Sequence, residues 1–263
     1  MQHKPRINLW VGPLVASAII LLWISSFTFT LSTTLTLSQW RAVWALPAIL
    51  GRTFIQTGLF IVVHDAIHGS VFPKSRRLND WVGSLAITLY GFLPYKKLYS
   101  NHWKHHRSPG QPGDPDFHDG VHQGFFAWYL KFMTKEYMDT EIRRRLFLCM
   151  AIAFISLRFG LHVADPNLFL FWLLPLILSS LQLFFFGTYL PHGSVDMSSQ
   201  NRHHAVSSHY PLIWSFFTCY HFGYHWEHHE YPDIAWYNLP QVYRGRKYQE
   251  TVNLVNRQTA LTP

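Results

Sequence analysis

His221 to Pro232 reads HFGYHWEHHEYP, and His225, His228 and His229 inside it have the spacing HxxHH. Residues three and four apart share one face of a helix, so the three imidazoles of such a segment can converge on one small volume. Imidazole is the commonest protein ligand for metal ions that work near neutral pH. The spacing recurs at His102, His105 and His106 in NHWKHH, and His64 and His68 stand at i and i+4 in VVHDAIHGS. With 17 histidines in 263 residues, chance supplies roughly 0.07 HxxHH matches per chain, so two are not accidental. The spacings predict three helices that point these histidines at a common centre. His3, His118, His122, His162 and His209 stand alone and read as ordinary polar residues.

Composition argues against an ordinary soluble domain. Charged residues make up 14% of the chain and aromatics 17%, and the apolar residues come in blocks. A net charge of +8 raises nucleic acid as a partner, but no basic stripe interleaves with polar surface. The cations cluster beside apolar blocks instead, as the positive-inside rule produces. Nucleic acid is therefore not expected as a partner. Cys149 and Cys219 are too few for a disulfide framework or a thiolate metal site and read as small apolar residues.

After Lys4 and Arg6, residues 10–31 are uncharged and long enough to cross a hydrocarbon core, longer than a signal-peptide h-region. Trp40 and Arg41 mark an interface, and 43–63 returns across the membrane with Arg52 near mid-length. A charge there must pair internally or face protein. Residues 81–93 are apolar but short. A full crossing there would separate His102 from His64, so a re-entrant or interfacial segment is expected. The loop SPGQPGDPDFHDG excludes regular structure. Residues 125–138 suit the membrane surface, and Arg143 to Arg145 anchor a third span over 146–163. A turn at Asp165, Pro166 and Asn167 leads to a fourth span over 168–190, and 211–220 is again too short to cross easily. The expectation is an all-α integral membrane protein with four transmembrane helices, interfacial or re-entrant helices and a histidine-rich cap. The cap comprises 64–145 and 191–263, in a single membrane-embedded domain. Lys74, Arg76, Arg77, Lys96, Lys97, Lys104, Arg107, Arg143 to Arg145, Arg244, Arg246 and Lys247 all fall on the histidine side, whereas the opposite turns hold only Arg41. Both termini and the histidine clusters are thus expected in the cytoplasm.

The clustered histidines outnumber the ligands that one ion takes, and neighbours such as His105 and His106 point about 100° apart on a helix. A dinuclear centre of iron, zinc or copper follows, set against a membrane where a lipophilic substrate arrives. Asp65, Asp114, Asp116, Glu227 and Glu230 stand close enough in sequence to accept the second N–H of a ligand imidazole. Asp114 and Asp116, tethered just beyond His106, are assigned to the catalytic site in that capacity, the alternative being that they shape a solvated turn.

With HxxxH, HxxHH and HxxHH among four spans, the chain resembles the membrane-bound di-iron desaturase and hydroxylase superfamily. HDAIHGS, HHRSPGQPGDPDFH, FGTYLPHGS and CYHFGYHWEHHEYPDIAWYNLP narrow the resemblance to the bacterial and cyanobacterial β-carotene ketolases, over residues 45–243. The resemblance implies iron ligands at His64, His68, His102, His105, His106, His225, His228 and His229, and a ninth at His192. His203 and His221 are expected as hydrogen-bond partners around the ligands. Phe184, Phe185, Phe186, Tyr189, Trp226 and Trp236 are candidate channel walls or plain lipid-facing or core residues. Departures are Gly193, where family ketolases often carry arginine, and PDIAWY at 232–237 in place of Pro-His-Val-Pro-Trp-Trp. The implied reaction is O2-dependent oxidation of C4 of a β-ionone ring by two irons, with electrons from reduced ferredoxin or a similar donor. Rivals are a fatty-acyl desaturase or alkane hydroxylase of the same superfamily and, from another class, a histidine-rich metal transporter. The transporter predicts ionisable residues along the spans; here only Arg52 and Arg158 intrude.

Overall fold

A computed structural model describes residues 8–33, 43–193 and 201–260; Lys4, Arg6, Trp40 and Arg41 lie outside the described residues. Among those described there is no β-strand. Three helices are long and apolar enough to cross a membrane: α1 (Val11–Ser32), α2 (Ala45–His68) and α7 (Asp165–Gly193). Between them lie α3 (Arg76–Gly91), α4 (Tyr95–Arg107), α5 (Phe125–Lys131) and α6 (Thr140–Ile155). After α7 come α8 (Leu212–Cys219), α9 (His225–Glu230) and α10 (Leu239–Ala260). The third expected span, 146–163, corresponds to α6 and its π-helical continuation Ser156–Gly160, none of whose residues is buried. Its first turns carry exposed Arg144, which pairs with Glu141, so it is not among the three apolar spans.

Outward-facing Leu14, Leu21, Phe29, Leu46, Leu50 and Ile177 leave the spans apolar where lipid would meet them. The inward faces carry polar groups that tie the spans together. Arg52 is 2% exposed; its guanidinium donates to Ser26 Oγ at 2.8 Å and to the carbonyls of Trp23 and Phe171, and lies over the Trp23 and Phe27 rings. One turn further, Gln56 accepts from Trp23 Nε1 and donates to the Tyr90 carbonyl, both at 2.6 Å. Thr57 donates to Gln182 Oε1 at 2.6 Å, and Gln182 donates to the Thr218 carbonyl at 2.6 Å. Interhelical hydrogen bonds of this kind substitute for the hydrophobic driving force that lipid removes.

The second span runs further than expected, to His68, so His64 and His68 occupy its last two turns. Gly69 stops it: with φ 79° it adopts the left-handed conformation, and its N–H returns to the carbonyls of Asp65 and Ala66. The expected re-entrant segment is α3, which packs along α2 through Val82, Gly83, Ala86 and Ile87. From there the chain enters α4 and brings the second histidine set beside the first.

The Gln56 bridge gives a direct test. Gln56→Leu leaves Trp23 Nε1 and the Tyr90 carbonyl without partners and is expected to cost about 1–3 kcal/mol in detergent unfolding. Adding Trp23→Phe, which removes the stranded donor, should recover part of that loss. Equal stability of Gln56→Leu and wild type would show that the bridge contributes nothing.

Candidate metal centre

Five segments meet at the cap end of the spans: the ends of α2 and α7, all of α4, the loop after α4, and α9. The i, i+4 pair His64 and His68 comes from α2, and His102, His105 and His106 come from α4. His225, His228 and His229 come from the single short helix α9, and His192 from the last turn of α7. Their ligand atoms form two groups, each with all atoms within 4.8 Å of one another: His64, His68, His102 and His228, and His105, His192, His225 and His229. His106 adjoins the first group, its Nε2 lying 2.8 Å from that of His228 and 3.1 Å from that of His102. Its ring stacks on His229 of the second, with centroids 4.3 Å apart.

The division follows from helix geometry. His102 and His106, four apart, face one group while His105 faces the other; His225 and His229, four apart, face the second while His228 faces the first. Each HxxHH box thus serves both groups, in opposite sense. That is the divergence expected for adjacent histidines on a helix.

Every converging atom is Nε2. The closest pairs lie 2.7 to 3.1 Å apart: His68 with His102, His64 with His228, His192 with His225, and His105 and His225 with His229. Two nitrogens bound at about 2.1 Å and at right angles to one ion are about 3.0 Å apart, so these spacings fit shared ions. Burial, and after it repulsion among the rings, lowers the basicity of His102, His106, His225, His228 and His229. They are neutral at physiological pH, which leaves the lone pair that a metal needs. Buried Nδ1 atoms of His64, His68, His225 and His229 have no hydrogen-bond partner, so packing and whatever the Nε2 side binds fix those rings. An all-imidazole donor set of this kind suits iron, zinc or copper.

The remaining ring nitrogens show what orients the others. Asp114 is buried, and its carboxylate lies 2.9 Å from His105 Nδ1. It also accepts from the backbone N–H groups of Gly110 and Asp116 at 2.8 and 2.9 Å. Burial would raise its pKa, but the His105 ring and these hydrogen bonds outweigh it and hold it below the ordinary carboxylate range. Burial likewise pulls His105 down, and Asp116 and Asp114 together raise it above the ordinary imidazole value. His192 Nδ1 donates to the His204 carbonyl at 2.7 Å. Asp65 Oδ1 is 3.6 Å from His64 Nδ1, an ion-pair rather than a hydrogen-bond distance, and Asp65 also accepts from Trp236 N.

Other expected partners are placed elsewhere. Asp116 accepts from Tyr137 OH at 2.5 Å rather than from a clustered imidazole, and burial pushes its carboxyl up to about 6. Glu227 is buried and engaged by Ser207 Oγ and by Arg246 Nε, on the face of α9 turned away from the histidines. Glu230 pairs with His203 Nε2 at 2.7 Å and with Arg202. Neither glutamate orients a clustered imidazole, because a residue two after His225 or one after His229 is rotated off the ligand face. His203 reaches that cluster only by ring contact with His229, and His221 Nδ1 pairs with Ser215 Oγ at 3.1 Å, outside both groups.

His64, His102, His105 and His225 line one open cavity. Asp116 and Tyr137 add a polar spot, and Phe60, Ile67, Leu183, Phe184 and Phe222 make most of the rest apolar. Of the suggested channel aromatics only Phe184 lines it; Phe186, Tyr189, Trp226 and Trp236 do not. The cavity face of α7 is Ser180, Leu183, Phe184, Gly187 and Thr188, and residues 186 and 189 are rotated away from it. Tyr189 packs instead against Phe125 and Trp128, Trp226 lies under Arg246, and Trp236 stacks on Phe216. Gly187 was not singled out from sequence. It lies against the Phe222 ring, into which any Cβ at that position would project.

A fatty acid desaturase family model matches residues 38–254. A β-carotene 4-ketolase of Protosiphon botryoides is 33% identical over 91% of this chain and 66% of its own length. A zeaxanthin 4-ketolase of Chlamydomonas reinhardtii is 38% identical over 93% of this chain and 56% of its own length. The chain therefore spans less than two thirds of these algal relatives. A β-carotene ketolase of Paracoccus sp. (strain PC1) is 37% identical over 87% of this chain and 90% of its own length. No solved structure matches the chain significantly. The histidine boxes and these matches agree: the chain belongs to the fatty acid desaturase family.

Proposed function

We propose that the protein is a carotenoid 4-ketolase, converting β-carotene to echinenone and canthaxanthin. The observation that carries this reading is the joint exposure of His64, His102, His105 and His225, drawn from both histidine groups, on one wall of an apolar cavity. The ketolase names of the relatives support the substrate class.

On this reading the nine clustered imidazoles hold two irons, whose bound chemistry is the activation of O2 and the removal of hydrogen from carbon. The residues of the chain supply the rest. Phe184, Phe222, Leu183 and Ile67 exclude water and hold an apolar ring against the histidine wall. Asp114 keeps the proton of His105 on Nδ1, so that Nε2 presents its lone pair to the centre. C4 of a β-ionone ring is allylic to the polyene, which makes its C–H bonds the weak ones. Each hydroxylation consumes one O2, two electrons and two protons and releases one water. Two at the same carbon give a gem-diol, which loses water to the ketone. The electrons come from reduced ferredoxin or a similar one-electron donor. The charge distribution supports one membrane-embedded domain with the histidine cap and both termini in the cytoplasm.

Expression in a host that accumulates β-carotene tests the function: canthaxanthin and echinenone should appear in the pigment extract. Unchanged β-carotene, with desaturated acyl chains in their place, would establish the acyl-lipid reading. Purified protein should contain close to two irons per chain, and a single tightly bound zinc with full activity would rule out the di-iron centre.

His192→Ala is expected to abolish ketolation and lower the iron content, whereas His221→Ala should retain iron. Asp114→Asn should lower turnover or metal affinity about ten- to a hundred-fold with the protein still in the membrane. Normal conversion by Asp114→Asn would show that the carboxylate merely braces its turn.

A further inference from the structure

The helix that supplies three of the histidines has a second face with no assigned role. Lys96, Ser100, Lys104 and Arg107 of α4 are all exposed and, at i, i+4, i+8 and i+11, fall within one quadrant of the helix. The opposite side buries Tyr95, Leu98, Asn101 and His105. No acidic residue occurs in α4, and among the described residues none of these three cations, nor half-buried Lys97, forms an ion pair. Exposed Lys74 and Arg77 lie just before and within the first turn of α3, and Arg76 bonds Tyr95 OH and covers the Tyr99 ring, so the basic surface adjoins α4.

Trp103 flanks this strip, half-buried, between the cations and the clustered histidines. Its ring centroid is 5.0 Å from His68 and 5.8 Å from His106, and Arg107 Nε donates to its carbonyl at 3.0 Å. Tyr99 continues the aromatic contact outward at 6.5 Å. A single indole thus separates a cationic surface from the first histidine group.

We infer that the outer face of α4 is the docking surface for a small acidic one-electron carrier protein, with Trp103 at the point where the carrier's electron enters. This rests on the oxygenase reading above, which requires two electrons per hydroxylation from outside the chain. Unpaired cations steer an acidic partner and raise its rate of encounter without demanding a large apolar interface. Complexes between electron-transfer proteins are small and short-lived in the same way. Here the strip is carried by the helix that holds His102 and His106, so docking there brings the carrier's cofactor against the helix that bears part of the first histidine group.

The test uses the full iron-loaded chain in nanodiscs of neutral phosphatidylcholine, with a plant-type [2Fe–2S] ferredoxin as the probe. Wild type should bind, and binding should weaken steeply as salt shortens the screening length from about 10 Å at 0.1 M to about 3 Å at 1 M. The combined variant Lys96→Glu, Lys104→Glu, Arg107→Glu should slow association at least about tenfold at low salt and flatten the salt dependence. Its iron content should match wild type. Charge reversal of Arg143 and Arg144, exposed at the start of α6, should leave binding as it was. Carbodiimide cross-linking of the complex should give carrier adducts at Lys96 or Lys104. No binding by wild type, equal binding by the α4 variant, or adducts confined to Lys135 and Lys247 would each overturn the assignment. So would an α4 variant that keeps the carrier and loses only its association with phosphatidylglycerol vesicles, since the strip would then bind lipid. Binding and cross-linking are read without turnover, so a pigment assay that shows no ketolation refutes the substrate and leaves this result intact.

Discussion

Nine imidazole Nε2 atoms held about 3 Å apart inside a membrane protein set the terms for the rest of the structure. Protonated rings at that distance would repel, and neutral rings left without partners would each carry a desolvation penalty. Burial resolves the first problem by lowering the basicity of His102, His106, His225, His228 and His229. The second is met for some rings by a bond at Nδ1, and ions at the Nε2 side would meet it for the rest. Asp114 and the His204 carbonyl supply two such bonds. The other rings depend on rigid helices, which is why the ligands sit on turns of α2, α4, α7 and α9 and not on loops.

Rigidity at the cap depends in turn on the spans. Arg52, Gln56 and Thr57 lie on the same helix as His64 and His68 and tie it to α1, α3 and α7. Displacing α2 would move one histidine box against the other two. The polar contacts therefore fix the register between boxes, and Gly69 ends the helix directly after His68 so that α3 and α4 can fold back. Gly187 plays the corresponding part on α7. It lets Phe222, just ahead of the third box, pack edge-on against His64 at 4.7 Å.

Much of this was legible in the sequence because metal-ligand spacing and helix periodicity are local. The three boxes, their partition between two groups and the apolar spans follow from residue spacing. His192 carried no such signal, being a lone histidine at the end of a span, and only the family resemblance pointed to it. The sequence left the aromatics open between channel wall and core, because on α7 composition does not reveal the phase of a helix interrupted by π turns at Phe169–Leu173 and Phe185–Tyr189. Tyr137 and Arg246 were unreadable as partners of Asp116 and Glu227, since each pair is about twenty residues apart and joined only by tertiary packing.

Asp114 and Asp116 show how far the local reading extends. From the sequence they are equivalent: two carboxylates in DPD, just past the second box. Backbone geometry separates them. Pro115 lies between them, and the Asp116 N–H turns back to Asp114 Oδ1, which directs the Asp114 side chain at His105 and the Asp116 side chain toward Tyr137 and the cavity. Trp128 Nε1, donating to the Asp116 carbonyl at 3.2 Å, fixes the loop in that orientation. Asp114 is thereby drawn toward the ionised form by an imidazole and two amides. Asp116 is drawn toward the protonated form by burial, with the neighbouring Asp114 charge acting in the same direction. One carboxylate is thus committed to holding a ring, while the other faces the space that the substrate would fill. Two acids that sequence could only assign together have become a positioning group and a cavity group.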